Sequence, residues 1–436
     1  MHIRTLIIIL LTVGSPHPAA AQQKYTLQEC IGIALENNRN IRQQEIGRQQ
    51  REIAYNQARA DLLPGLSASA GQNFIFGRSI GLNNTYENTN SSQTSFGIGG
   101  DITLFDGLRM KHNIDARRAD MQASEADLEK MRDDVIMSVS TAFLQALLNR
   151  ELLQIAQSQI ETTQAGLQQR SELVKSGKMA QGELCEPEAQ LAREELNRVQ
   201  AENSLKLSLL DLAQIMELEE FDRFDIVAPP AETLIDEAPL LRPEAVYESA
   251  LQHRPEVRGM HHRLESSEKE LLIARSQYYP TLTFGVNMST GYYRMGGRDN
   301  TSFGSQLRNN MSNSLGFNLR IPIFSKFQIR NGIRRAELSI TGTQLELDRT
   351  KAELRKRIEQ AFHNATGAKS RWDAARKSIE ASREAYRFAE EKYGNGRASS
   401  YELFLAKNSL AQVLGEEAQA KYEYAFRLKI LALLRD

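Results

Sequence analysis

The sequence predicts an internally duplicated α+β membrane protein, in which β-hairpins from several copies close a barrel that long α-helical hairpins continue. Three observations lead there. Segments recur at a nearly constant offset along the 436 residues. Two proline-free helical patterns, about 106–174 and about 325–393, occupy much of the chain. Ahead of each lies a pair of short stretches that alternate apolar with small or polar residues, the period of a strand with two different faces.

The repeat comes first, because it organises the rest. Ile102-Thr-Leu-Phe105 returns as Ile321-Pro-Ile-Phe324, a shift of 219 (324 − 105). Ser176-Gly177 through Glu183-Leu184 returns at the same shift as Asn395-Gly396 through Glu402-Leu403. Ala34-Leu35 through Leu63-Pro64 returns as Ala250-Leu251 through Tyr279-Pro280, a shift of 216 (280 − 64). The expected organisation is a first repeat over 22–215, a joint over 216–245 and a second repeat over 246–436. Pro229, Pro230, Pro239 and Pro243 fall in the joint, where they cannot continue a helix.

Each repeat is expected to open with one helix of roughly 35 residues ending at Pro64 or Pro280. A β-hairpin follows, over about 65–105 and about 281–324. Leu282, Phe284, Val286 and Met288 alternate with Thr283, Gly285, Asn287 and Ser289, and the return strands repeat the pattern at Phe96–Leu104 and Leu315–Ile323. Between the strands, 77–94 and 294–312 are rich in Asn, Ser, Thr and Gly and read as long polar loops. The helical patterns of about 68 residues span on the order of 100 Å at the α-helical rise. A glycine turn reverses each, and a returning helix follows. In the last one, Leu403, Leu410, Tyr424 and Leu431 share a seven-residue spacing, as do Ala406, Val413, Ala420 and Leu434, with Glu417 and Arg427 interrupting. That is a coiled-coil seam or an ordinary amphipathic core face.

Composition narrows the class. The chain is 41% hydrophobic and 25% charged, with 55 acidic against 54 basic residues and net charge −1. Nothing in that balance calls for nucleic acid, and so many apolar residues exclude disorder. Mean hydropathy is −0.46, and no apolar run in the body reaches the ~18 residues of a membrane helix. Residues 1–21, with a basic start, apolar Leu6–Val13 and Ala19-Ala20-Ala21, read as a secretory signal peptide. Two cysteines, Cys30 and Cys185, are too few for a disulfide scaffold, and the helix layout sets them too far apart to bridge. No nucleophile motif, phosphate loop or metal-ligand spacing occurs, so neither catalytic residues, cofactor nor metal is expected, and the protein is read as no enzyme.

Four strands with one apolar face cannot close a barrel, and lipid does not tolerate an open sheet edge. Two copies would give eight strands around a filled interior. Three would give twelve around a lumen lined by Ser, Gly, Asn and Thr, with Leu, Phe and Ile on the outer face toward lipid. Helices of this length find burial only side by side in a ring.

Several motifs carry a family resemblance. They are Ala250-Leu-Gln-His-Arg-Pro-Glu-Val257, Gln277-Tyr-Tyr-Pro-Thr-Leu282, Ile102-Thr-Leu-Phe-Asp-Gly107 and Lys392-Tyr-Gly-Asn-Gly-Arg-Ala-Ser-Ser-Tyr-Glu-Leu403. In this order, over nearly the whole chain, they resemble the TolC-type outer-membrane efflux proteins. The first half departs at Asn38-Arg39, where the family often has Asn-Pro. The resemblance implies a homotrimer with a 12-stranded β-barrel, four strands per protomer, continued by a long α-helical barrel into the periplasm of a Gram-negative cell. It also implies a periplasmic adaptor and an inner-membrane pump of RND, ABC or MFS type as partners, with the helical tips closed until those engage.

The candidate site residues cluster at the two turns. Gly177 and Gly396 suit the left-handed cap that ends a helix. Glu183 and Glu402 are expected to open the returning helices, either as helix caps that favour the dipole or, under threefold symmetry, as charged rings that gate the pore and set its selectivity. The resemblance places an acidic ring at Glu402; a second acid found in some members is Leu405 here, which leaves a single ring. Leu173, Val174, Ser400, Leu403 and Phe404 flank the turns, either docking an adaptor hairpin or packing on the chain's own helices. An efflux duct for small molecules leads this reading, and the exit duct for a type I secreted protein shares its fold. A structural coiled-coil envelope protein would leave the alternating strands unexplained, and a diffusion porin the helical hairpins.

Overall fold

A computed structural model describes residues 23–80, 84–219, 224–229 and 240–435. The signal peptide read at 1–21 lies outside them, as do 220–223 and 230–239 of the joint. The first half runs β1 (Gln23–Tyr25), α1 (Leu27–Asn37), α2 (Arg39–Ala60), β2 (Gly65–Ile75), β3 (Arg78–Ile80), β4 (Tyr86–Asn88), β5 (Ser91–Phe105), α3 (Arg109–Lys175) and α4 (Cys185–Ile215). After β6 (Phe224–Ile226) the second half runs α5 (Pro243–His253), α6 (Pro255–Ser276), β7 (Thr281–Met295), α7 (Phe303–Asn309), β8 (Ser312–Arg320), α8 (Gln328–Gly394) and α9 (Ser400–Arg435). The order helix, helix, hairpin, long helix, returning helix thus occurs in both halves.

The opening helix is not continuous, contrary to expectation. It is broken after 11 residues in each half, at Asn38 and at Arg254. Arg254 precedes Pro255, and the residue before a proline is pushed out of the helical region; its ψ is 126°. Asn38 reaches the same conformation, ψ 125°, with no proline after it. There the amide side chain donates to the Ile215 carbonyl at 3.2 Å, so a tertiary hydrogen bond does what Pro255 does covalently. Thr26 and Glu29 form a reciprocal capping box at the start of α1.

The strands form one antiparallel sheet in the order β2-β5-β7-β8. Directly opposed residues share a face. Ala70, Phe96 and Thr290 stand in one row, Ala68, Ile98 and Met288 in the next, and Ile102, Phe284 and Phe317 in another. Ser69, Gly97 and Ser289 make up a row of the other face, as do Gly99, Asn287 and Ser314. One face is therefore largely apolar and the other small and polar, as the alternation predicts. The apolar face is uncovered in the single chain: Leu66, Leu315 and Phe317 are each more than two-thirds exposed. The outer strands β2 and β8 have no further strand beside them among the described residues.

The two polar loops hold more structure than their composition predicts. β3 and β4 pair as a small hairpin, and α7 forms in the second loop. Side-chain amides do the work of backbone there. Gln306 accepts from the Tyr293 N–H at 2.9 Å and donates to its carbonyl at 3.0 Å. Asn300 treats Met295 in the same way, at 2.9 Å each. Asn and Gln carry both donor and acceptor, so such loops can order themselves without a ladder.

The chain divides into two compact units, each drawing on both halves of the sequence. One comprises 40–133, 241–360 and 434–436. It holds the sheet, and in it α6 lies against the start of α3 at small residues: a Cβ on Gly259 would stand 3.4 Å from that of Ala126. Arg254 is buried there between Asp133 (3.1 Å) and Glu256 (3.2 Å), and Glu256 also binds Arg357. The other unit comprises 1–39, 134–240 and 361–433. It holds the rest of the long helices with α4, α9 and the two-stranded β1–β6 sheet, around Val139, Phe143, Leu147, Leu212 and Tyr424. Glu417, which interrupts the heptad series, accepts from the indole N–H of Trp372 at 2.8 Å. A half-buried carboxylate with a donor is tolerated in a seam that otherwise wants apolar residues. No helix among the described residues is long and apolar enough to cross a membrane.

Candidate functional site at the helical turns

Both long helices end in the same way. Gly177 and Gly396 have φ of +73° and +69°. The N–H of each glycine donates to the carbonyl three residues back, Val174 or Tyr393, and the next N–H reaches five back, from Lys178 to Leu173 and from Arg397 to Lys392. These are two Schellman motifs, and the left-handed residue in each is glycine because a Cβ would strain it.

The returning helices begin differently. Glu402 lies in the first turn of α9 as expected. Glu183 does not open α4; it sits in a 3₁₀ turn, Gln181–Leu184, ahead of Cys185. Pro187 explains the shift. Proline has no N–H and its ring clashes with the preceding turn, so it is accepted only at a helix start. The matched position of the second half is Ala406, which lets α9 start earlier.

Glu402 is capped rather than capping. Its backbone N–H donates to the Ser399 hydroxyl at 3.2 Å. Its own carboxylate is exposed and has no ion pair or hydrogen bond among the described residues, unlike Glu29, which closes its box on Thr26 at 2.8 Å. Glu183 is exposed as well. Two of the nearby cations are engaged elsewhere: Arg170 stacks over the Tyr393 ring at 5.1 Å and Lys175 pairs with Glu172 at 2.8 Å.

Leu173, Val174, Leu403 and Phe404 are half-buried rather than fully exposed within one chain. The apolar side chains that stand out are Tyr401 and Leu405, which the sequence did not single out for docking. The Ser400 hydroxyl donates to Glu186 Oε2 at 3.3 Å and so brings the two returning helices together. Cys185 is exposed at the start of α4, while Cys30 is buried in α1, and neither is bonded. Among the described residues no group of His, Cys, Asp and Glu could hold a metal ion.

Sequence reasoning missed the polar cluster behind the second turn. Lys407 on α9 donates from Nζ to the Gln159 carbonyl at 2.9 Å, to Glu194 Oε1 at 3.1 Å and to the Thr163 hydroxyl. Thr163 in turn donates to Glu194 Oε2, and Gln190 donates to Oε1 at 2.9 Å. Glu194 is 5% exposed. Burial pushes the Lys407 ammonium below its ordinary pKa, and Glu194 pulls it partly back. Only the interruption of an apolar face by Lys407 hinted at this in the sequence.

Strand pairs each followed along the chain by a long and a returning helix, in a sheet with an apolar face, are the elements of an outer-membrane channel protein. The chain belongs to the outer membrane efflux protein family, whose model matches residues 30–216 and 246–434. The TolC-type resemblance read from the motifs therefore holds, and the protein is an outer-membrane protein. Among curated relatives, it is 24% identical to protein CyaE of Bordetella pertussis over 96% of this chain and 85% of that one. It is 22% identical to proteases secretion protein PrtF of Dickeya chrysanthemi over 95% and 89%. Among solved structures, a membrane protein from Pseudomonas aeruginosa superposes with TM-score 0.80 at 18% identity, covering 94% of this chain and 92% of that chain.

Proposed function

We propose that three copies assemble into one duct, the outer-membrane exit of a tripartite efflux system. The sheet carries this reading. Its two edge strands, β2 and β8, have no partner among the described residues, and one face is apolar and uncovered. Three such sheets joined edge to edge give a barrel of twelve strands without free edges, its apolar face toward lipid and its Ser, Gly and Asn face toward a lumen. The matched order of elements in the two halves supports an internal duplication behind it.

The helical hairpins continue the duct into the periplasm, where an adaptor and an inner-membrane pump deliver small-molecule cargo. The pump supplies the energy, and the duct makes and breaks no bonds. Glu402 faces the lumen and forms a single acidic ring at the gate. Its exposed, uncommitted carboxylate supports a role beyond helix capping. Glu183, exposed in its 3₁₀ turn, adds negative charge to the same gate. Tyr401 and Leu405 join Leu173, Val174, Leu403 and Phe404 as the surface for the adaptor. The name of PrtF supports a second reading, in which the cargo is a secreted protein.

Chemical cross-linking in detergent tests the assembly: trimers are expected, and a stable monomer or dimer overturns it. Co-purification with a neighbouring adaptor and pump, followed by export assays for dyes and for protein, separates the two cargo readings.

A further inference from the structure

Two of the links between α9 and the first-half hairpin lie close to the turn, and they differ greatly in strength. At the turn itself there is one exposed hydrogen bond, from Ser400 to Glu186 at 3.3 Å. Five residues beyond Glu402, about 7.5 Å along the helix, Lys407 spends all three ammonium donors on α3 and α4. Both carboxylate oxygens of Glu194 are occupied too. Exposed single links contribute little, whereas pulling Lys407 away from Glu194 would strand a buried carboxylate. Any movement that frees the turn therefore breaks the Ser400 contact first and leaves the Lys407 cluster intact.

From this we infer that the Lys407–Glu194–Thr163 cluster is the fixed point that positions Glu402, the anchor on which the start of α9 turns when the gate opens. Lys407 and Glu194 are positioning residues; they act on permeating ions only through where they hold Glu402. The inference rests on the proposed Glu402 gate. It makes the gate's selectivity depend on a side chain that does not line it and that comes from the same chain.

The test is planar-bilayer recording of the purified full-length protein, with block by a divalent cation as the readout and a thermal melt as the control for folding. The probe is magnesium ion alone. Lys407→Met/Glu194→Met removes both charges together, so no buried charge is stranded. It is expected to keep the wild-type assembly and to need severalfold more magnesium for half-block. Lys407→Arg keeps the charge and is expected to keep the block. Thr163→Val, which leaves the ion pair in place, is the milder variant should the double one fail to assemble, and a smaller shift in the same direction is expected. Glu402→Gln is recorded alongside. If Glu402→Gln loses block while the assembled cluster variants retain it, the anchor is overturned and the gate stands. If Glu402→Gln itself blocks like wild type, the gate reading fails, and the anchor falls with it.

Discussion

Gly107 and Lys326 occupy the same place 219 residues apart (326 − 107), at the elbow where a strand gives way to a long helix, and both are left-handed, with φ of +68° and +50°. Their successors Leu108 and Phe327 are left-handed as well, at +67° and +61°. The elbow thus repeats even where glycine does not. At Gly107 no other residue fits, because a Cβ would stand 2.7 Å from that of Tyr279 and 2.9 Å from the Ser276 carbonyl. At Lys326 a side chain is present in a conformation that costs an L-residue roughly 1 kcal/mol.

Lys326→Gly should therefore stabilise the protein slightly, by up to about 0.5 kcal/mol after allowing for the added freedom of the unfolded chain. Gly107→Ala should destabilise it by more than that, since backbone must move. Thermal unfolding in detergent, followed by circular dichroism, reads both. A stabilised Gly107→Ala would show that the elbow is not held as described.

Arg39→Pro should be tolerated or mildly stabilising, by up to about 1 kcal/mol. Asn38 already has the extended ψ that a following proline requires, and position 39 begins a helix, where a missing N–H costs nothing. The ion pair it gives up, to Glu217 at 3.2 Å, is exposed on the arginine side. Asn38→Ala should cost about 1 kcal/mol through the lost bond to Ile215, and Arg39→Pro should recover part of it. A proline that abolished assembly would refute the equivalence of the two breaks.

The cysteines should differ sharply in reactivity. Burial, and then the charge of Glu29, push the Cys30 thiol from 9.0 up to about 12. Cys185 is exposed. Alkylation of the native protein near pH 8 should label Cys185 and spare Cys30, read by mass spectrometry. The same shift has a consequence for stability. With the folded value raised, the unfolded chain releases this proton first, so the contribution is intact below pH 9 and is lost as pH rises from 9 to 12. Cys30→Ala should flatten that part of the pH profile.

Glu402→Gln should weaken cation selectivity and cation block of single-channel current without affecting assembly. In the proposed trimer, three like charges around a narrow opening would attract cations and repel one another. Arg170 and Lys175, bound to Tyr393 and Glu172, are not there to neutralise them. Planar-bilayer recording of wild type and variant compares the two, and identical selectivity and block would leave Glu402 as a helix-start residue alone.

The sequence by itself determined whatever has a short period or a unique residue behind it. Two-residue alternation set the faces of the strands, because a side chain's face depends only on parity along an extended chain. Gly177 and Gly396 marked the helix ends, because glycine alone takes that cap without strain. Pro255 breaks one helix by local chemistry alone, although the opening helix was expected to run through it. Tertiary structure alone decided what depends on distant partners. Asn38 breaks its helix through a carbonyl 177 residues away. Lys326 and Phe327 bend an elbow with no glycine to announce it. Glu183 is a different case: Pro187, four residues on in the sequence, keeps it out of α4, a local signal that its match to Glu402 hides. Lys407 meets Glu194 across 213 residues; a buried charge is defined by what surrounds it, and no local pattern of residues carries that information.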